Sequence, residues 1–230
     1  MKPSGWLPRV GGAAWLALGL AAGWGGEGKA LAGDRVKLPA ARVAGGMSVA
    51  EALATRRSRR SFTEEPLHLA AAGQLLWAAQ GLSDQRHGLR TCPSAGATYP
   101  LEAYLVAGAV TGLPAGVYRY LPASHELIMV RAGDVRRAVA AAALGQEMLA
   151  VAPATLVLAA EYGRTARRYG ARAPRYVQME VGHAGENVYL QCVALGLGTC
   201  AVGAFDDAEL KAALGIAEEP LYLLPIGRPR

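Results

Sequence analysis

The sequence predicts an α+β domain. Apolar runs of strand length, such as Thr155–Ala160 between Pro153 and Glu161, alternate with helical faces over 66–80 and 175–197. Val117–Leu121 and Glu126–Arg131 flank a turn at Pro122–His125, the spacing of a hairpin. A chain of 230 residues is long enough for one substantial core.

The chain opens with Lys2 and Arg9 and continues through an uncharged apolar run, Gly11–Trp24. Ala30-Leu31-Ala32 then offers a small-x-small cleavage site. That order predicts a secretory signal peptide over 1–32. Its apolar run is short for a membrane span, and an uncleaved anchor is the alternative. The protein is then exported, periplasmic or extracellular, with no membrane span after cleavage. Residues 33–47 are rich in Gly, Ala and Pro and read as a loose lead-in, and 48–230 form the domain.

Ser48 caps a helix over Val49–Thr55, with Glu51 completing a capping box. Arg56-Arg57-Ser58-Arg59-Arg60 follows. Four guanidinium groups in five positions repel one another unless an anion lies among them, and their forks suit phosphate oxygens. From Pro66 to Gln80, Leu67, Leu69, Ala72, Leu75, Leu76 and Ala79 share a helical face that ends at Gly81. Trp77 belongs to the core. Ser83–Thr91 is a polar loop. Pro93 to Pro100 is a tight turn of small residues before the strand Ala103–Ala107. Asp134–Leu144 is helical, and Gln146–Ala150 is a short helix.

Arg175–Leu197 is a long helix in which Gly182 and Gly185 permit close contact. His183 and Asn187 stand four apart, a spacing that by itself assigns no chemistry. Gly196-Leu197-Gly198-Thr199-Cys200-Ala201 mimics a dinucleotide loop, but it ends a helix and begins a strand, the reverse of the order that fingerprint needs. Asp206 caps a helix over Asp207–Leu214 closed by Gly215. Pro220–Ile226 is the last strand.

Composition narrows the function classes. Removing 1–32 leaves 21 basic against 17 acidic residues, +4, a mild excess with no nucleic-acid motif or aromatic interleaving. Cys92, Cys192 and Cys200 are odd in number and widely spaced, which argues against a disulfide framework. Without a Cys-x-x-Cys or clustered histidines, no metal site is expected.

Three segments carry a resemblance. Pro93-Ser94-Ala95-Gly96-x-x-Tyr99-Pro100-Leu101-Glu102, Arg56-Arg57-Ser58-x-Arg60-x-Phe62 and the helix from Tyr176 to Gly198 resemble, in that family's chain order, the nitroreductase superfamily. They are most similar to its azoline-oxidising branch. The resemblance implies a nitroreductase-like fold, a central mainly antiparallel sheet flanked by helices, with FMN at a homodimer interface. It implies ping-pong hydride transfer through flavin N5 to or from a small-molecule substrate, with NAD(P)H as a candidate donor. By the same likeness Arg56, Arg57, Ser58, Arg60 and Arg228 hold the phosphate and ribityl end. Pro93, Ser94, Ala95 and Gly96 support the ring, and Gly203 and Ala204 lie against its edge. Arg168-Tyr169 stands where the azoline-oxidising branch carries a Lys-Tyr pair for proton transfer. Arg is a poor general base, which counts against the alternative of an azoline-type dehydrogenase of modified peptides. A second alternative is an exported flavin-binding protein without turnover.

Overall fold

A computed structural model describes residues 33–230; the signal-peptide reading of 1–32 lies outside them. The sheet elements are β1 (Arg35–Lys37), β2 (Leu67–His68), β3 (Leu82–Asp84), β4 (Leu89–Arg90), β5 (Leu101–Ala107), β6 (Val110–Thr111), β7 (Gly116–Leu121), β8 (Glu126–Ala132), β9 (Ala154–Ala160), β10 (Gly198–Thr199) and β11 (Glu219–Gly227). The helices are α1 (Val49–Thr55), α2 (Leu69–Gln80), α3 (Arg136–Ala142), α4 (Glu147–Val151), α5 (Tyr162–Tyr169), α6 (Ala173–Ala194) and α7 (Asp207–Leu214).

Seven strands form one sheet in the order β1-β8-β7-β5-β9-β11-β10, and every neighbouring pair in it is antiparallel. β5 and β9 lie at its centre, and every residue of both is buried. That burial follows from helices on both faces. Leu105 and Ala107 point to a cluster that includes Leu75 and Leu76 of α2 and Val177, Ala184 and Val188 of α6. Tyr104 and Val106 point the other way, to Val139 of α3, Leu149 of α4 and Leu210 and Leu214 of α7. A strand covered on both sides reads as an unbroken apolar run, because neither alternating set of side chains faces water.

Local chemistry sets the helix ends. Ser48 Oγ accepts from the Glu51 N–H at 3.2 Å at the start of α1, and Asp206 accepts from the Glu209 N–H at 2.8 Å at the start of α7. Both are N-caps of the expected kind. Elsewhere the structure departs from the expectations. The stretch read as a loose lead-in contains β1, which pairs antiparallel with β8 and covers that edge of the sheet. The polar loop at 83–91 is a small hairpin, β3 with β4, around a turn in which Asp84 accepts from the His87 N–H. Backbone pairing of this kind leaves little trace in a run of polar residues. Among the described residues, no helix is long and apolar enough to cross a membrane.

Candidate functional site

The arginine segment sits where three distant parts of the chain meet. Arg59 N–H donates to the Thr199 carbonyl at 2.8 Å, and Ser58 bridges to Thr199 in parallel. Phe62 pairs with Pro229, Thr63 N–H donates to the Arg228 carbonyl and Arg230 N–H to the Ser61 carbonyl. Gly198 makes the close approach possible, since a Cβ there would lie 2.7 Å from Arg59 Cβ. Arg56 lies over the Tyr189 ring, 5.1 Å from its centroid, and 3.7 Å from the Glu186 carboxylate. Arg57 donates to the carbonyls of Ala54 and Arg56. Among the described residues no carboxylate comes within 4.0 Å of Arg57, Arg59 or Arg60. Arg228, predicted to join them, is paired with Glu65 at 2.7 Å.

Tyr189 ties this segment to the predicted ring edge. Its hydroxyl accepts from the Ala201 N–H at 2.7 Å and stands 3.0 Å from Ser58 Oγ. Val202 then exchanges both backbone hydrogen bonds with Leu223, and Gly203 and Ala204 emerge exposed. The Ala204 carbonyl accepts from Gln146 Nε2 at 3.2 Å.

The 93–99 turn is built separately. Ser94 Oγ accepts from the Tyr99 N–H at 2.9 Å. Gly96 takes φ +59, and Ala97 and Tyr99 also take positive φ, 53 and 44. Left-handed backbone at two non-glycine residues costs energy, and surrounding structure must hold it. α5 does so. Thr165 Oγ1 meets Thr98 Oγ1 at 2.8 Å, Arg164 donates to the Tyr99 carbonyl at 3.0 Å, and Arg168 donates to the Gly96 carbonyl at 3.2 Å. A Cβ on Gly96 would come 2.5 Å from the Tyr169 hydroxyl. The helix is pinned in turn to the sheet, because Glu102 of β5 accepts from Arg164 and from Arg119 of β7.

Beneath the turn lies Glu180 of α6, 3% exposed. Burial pushes its carboxyl up to about 7, against the Ser94 hydroxyl, the Arg90 charge and the Ala95 N–H, which favour the ionised form. Its Oε1 is buried without a hydrogen-bond partner. Cys92 contacts the Glu180 carbonyl at 3.5 Å, and burial pushes that thiol up to about 12, out of reach of nucleophilic chemistry at neutral pH. Cys192 and Cys200 are also buried and free.

The structure therefore assembles the predicted residues into two groups. Arg56, Arg57, Ser58 and Arg60 lie with the Arg228 strand and, through Tyr189, with the approach to Gly203 and Ala204. Pro93 to Gly96 lie with Arg168 and Tyr169. α6 separates the groups: Glu180 and Tyr189 are nine residues apart, about two and a half turns, so they leave the helix on opposite faces. Between those faces runs an exposed stripe that includes Met179, Gly182 and His183. Each group flanks that stripe on its own side.

Sequence reasoning missed Tyr189, Glu180 and the Glu102–Arg164 pair. Glu180 did leave a signal. It occupies a core position among Val177, Val181 and Ala184, where an acid is out of place. Tyr189 falls within the helix that carries the resemblance, but its role depends on the Ser58 hydroxyl and the Ala201 N–H reaching it.

Comparison with known proteins fits this geometry. A family model described as "Nitroreductase family" matches residues 53–228. The protein MJ1384 of Methanocaldococcus jannaschii, provisionally named a nitroreductase, is 48% identical over 178 residues, 77% of this chain and 89% of its own length. A crystal structure from Ralstonia eutropha JMP134, with a similar provisional name, has a TM-score of 0.76 at 32% identity, covering 85% of this chain and 90% of that one. In the E. coli microcin synthetase McbBCD complex with truncated pro-MccB17, a chain at 23% identity and TM-score 0.66 shares the fold, covering 81% of this chain and 75% of that one.

Proposed function

The chain belongs to the nitroreductase family, and from that premise we propose an FMN-dependent oxidoreductase acting on a small organic substrate. The observation that carries the proposal is the set of guanidinium groups at Arg57, Arg59 and Arg60 without a carboxylate partner among the described residues, beside the Ser58–Tyr189–Ala201 chain that leads to exposed Gly203 and Ala204. Like charges so placed call for an anion, and a phosphate suits their fork geometry. The buried, unpartnered Thr199 hydroxyl between Arg59 and this chain is a further polar group awaiting a partner. These residues fit a phosphate-bearing cofactor.

Bound FMN would supply a hydride-carrying centre, reduced by a donor and reoxidised by an acceptor in turn. The chain's own residues would do the rest. Arg57 and Arg60 would bind the phosphate. Pro93 to Gly96 would give the ring a flat, small-residue support, and their backbone donors would favour negative charge on it. Arg168 is already engaged with the Gly96 carbonyl and would position that turn. Tyr169 presents the hydroxyl nearest to Gly96 and could hold a proton near a substrate.

The opposite-face arrangement on α6 supports a homodimer. With the stripe at Met179, Gly182 and His183 packed on its two-fold mate, the arginine group of one protomer would face the 93–96 turn of the other. A groove of about 330 Å³ beside it, lined by Met47, Val49, Trp77 and Leu190, offers apolar surface to the same contact.

Arg167, Arg168, Arg172 and Arg175 have no acidic partner within 4.0 Å among the described residues. They border an edge-to-face pair, Tyr169 and Tyr176, with centroids 4.9 Å apart. This supports a flat anionic acceptor, such as an aromatic or quinone carrying a carboxylate. The azoline-type alternative has the fold likeness to the microcin synthetase chain in its favour, but Arg168 stands in place of its lysine. If 1–32 directs export, a donor other than NAD(P)H is needed outside the cytoplasm.

Purified protein should be yellow, with absorbance near ~450 nm as for bound flavin, and should bleach anaerobically with at least one donor of a panel. Colourless protein that cannot be reconstituted with FMN would overturn the proposal. Bound flavin that no donor reduces would favour the non-catalytic alternative.

A further inference from the structure

Glu180 is a buried carboxylate that the proposed chemistry does not use. Its side chain is 3% exposed on α6, under the 93–99 turn, and one oxygen has no hydrogen-bond partner. Leaving such an oxygen unsatisfied is costly. A Leu would fill a similar volume without that cost, so the acid has a local use. We propose that Glu180 is a positioning residue: acting through the Ser94 hydroxyl, its carboxylate holds the 93–99 turn in the shape that receives the ligand ring.

The connection runs through a single hydroxyl. Ser94 Oγ accepts from the Tyr99 N–H, so its one proton is free for Glu180, whose ionised form the Ser94 hydroxyl and the Ala95 N–H both favour. These donors span the stretch of positive φ at Gly96, Ala97 and Tyr99, which cannot hold its form unaided. The charged and titratable groups around Glu180 are few. Arg90, from β4, lowers its pKa, as do Ser94 and the Ala95 N–H, while the Cys92 thiol is held neutral by burial. Arg90 also stacks on the Tyr99 ring, 4.7 Å from its centroid. The same small cluster therefore touches both ends of the turn.

Bonds to a carboxylate are stronger than bonds to the neutral acid. Ionised Glu180 should grip Ser94 and Ala95, and protonated Glu180 should loosen them. With burial pushing the carboxyl up to about 7, the change falls in the neutral range. The ligand affinity of the turn should then improve as pH rises. The inference rests on the FMN reading only for the identity of the ligand.

The test is FMN titration of flavin-free protein across pH 5.5 to 8.5. Wild type should bind about tenfold more tightly at the alkaline end. Glu180→Gln, isosteric and neutral, should keep only the shallower slope that the FMN phosphate contributes through its own second ionisation at about 6. Ser94→Ala should reduce the slope to the same level, although Glu180 is still present to titrate. A flat or reversed wild-type profile, or an unchanged slope in either variant, would overturn the proposal. If no protein binds FMN at any pH, the cofactor reading has failed and hydrogen exchange decides the matter. Amides 94–99 of wild type should then be better protected at high pH, with that difference lost in Glu180→Gln. Equal protection would refute the role assigned to Glu180.

Discussion

Arg164 of α5 donates to Glu102 of β5 at 2.5 Å, and this pair fastens the helix bearing Arg168 and Tyr169 to the strand that begins where the 93–99 turn ends. Glu102 also takes Arg119 at 2.9 Å, so one buried acid serves two arginines. Arg164 reaches further, to the Tyr99 carbonyl and to Glu161. Sheet, turn and α5 thus share one electrostatic node.

Replacing Glu102 by Gln leaves both arginines short of their anion. Because both guanidinium groups keep partial contact with water, the loss should sit near the low end for a broken buried pair, about 2 kcal/mol. Urea unfolding would show it as a lower midpoint with unchanged slope. A midpoint within error of wild type would remove Glu102 from its place as the node.

The double substitution Arg57→Ala, Arg60→Ala should weaken FMN binding by roughly 30-fold or more. Both residues are exposed, so thermal stability without flavin should hardly move. Undiminished affinity would refute the phosphate assignment, and equal affinity of wild type and variant for riboflavin, which has no phosphate, would locate the loss at the phosphate.

Met179 lies on the exposed stripe of α6, 48% accessible. Met179→Asp places a charge on the contact proposed between protomers and should yield monomers by light scattering. The circular dichroism spectrum should be unchanged. If the two groups of site residues meet only across a dimer, the monomer should also lose flavin. A monomer that keeps its colour would place the whole pocket within one chain.

Glu180 reverses the usual sign of a carboxylate's effect on stability. Its folded-state pKa, about 7, lies above its ordinary value of 4.5. The fold therefore binds the proton more tightly than the unfolded chain does. Stability from this group is fully present below about 4.5, declines as pH climbs toward 7, and levels off above it, by up to about 3 kcal/mol. Asp84 and Asp134, held below the ordinary range by His87 and Arg136, act in the opposite direction at acid pH. The difference between wild type and Glu180→Gln isolates the one group: melting temperatures of flavin-free protein should agree in acid, where both side chains are neutral, and wild type should fall below the variant as pH rises through neutral. Parallel curves would show that Glu180 does not titrate as described.

Much of this was legible in the sequence, for local reasons. The caps at Ser48 and Asp206, the hairpin of β7 and β8, and the apolar run of β9 are each written within a few adjacent residues. β1 was hidden because its three residues pair with a strand nearly a hundred positions away, and α5 because its arginine-rich face carries no apolar periodicity. The two groups of candidate site residues were named from residue type and order. Their separation by α6 was not, since it depends on the face from which each neighbour meets the helix. Arg228 reads as an anion ligand in sequence, and only the fold reveals Glu65 beside it.

In the proposed dimer, the placement of those groups on opposite flanks of one helix would also make the pocket divisible between two defective polypeptides. Arg57→Ala, Arg60→Ala in one gene copy and Gly96→Val in another would each spoil both pockets of its own pair. Co-expressed, they would form mixed pairs in which one pocket inherits both lesions and the other inherits neither. With random assortment, roughly one pocket in four would be whole, so two inactive genes would complement each other.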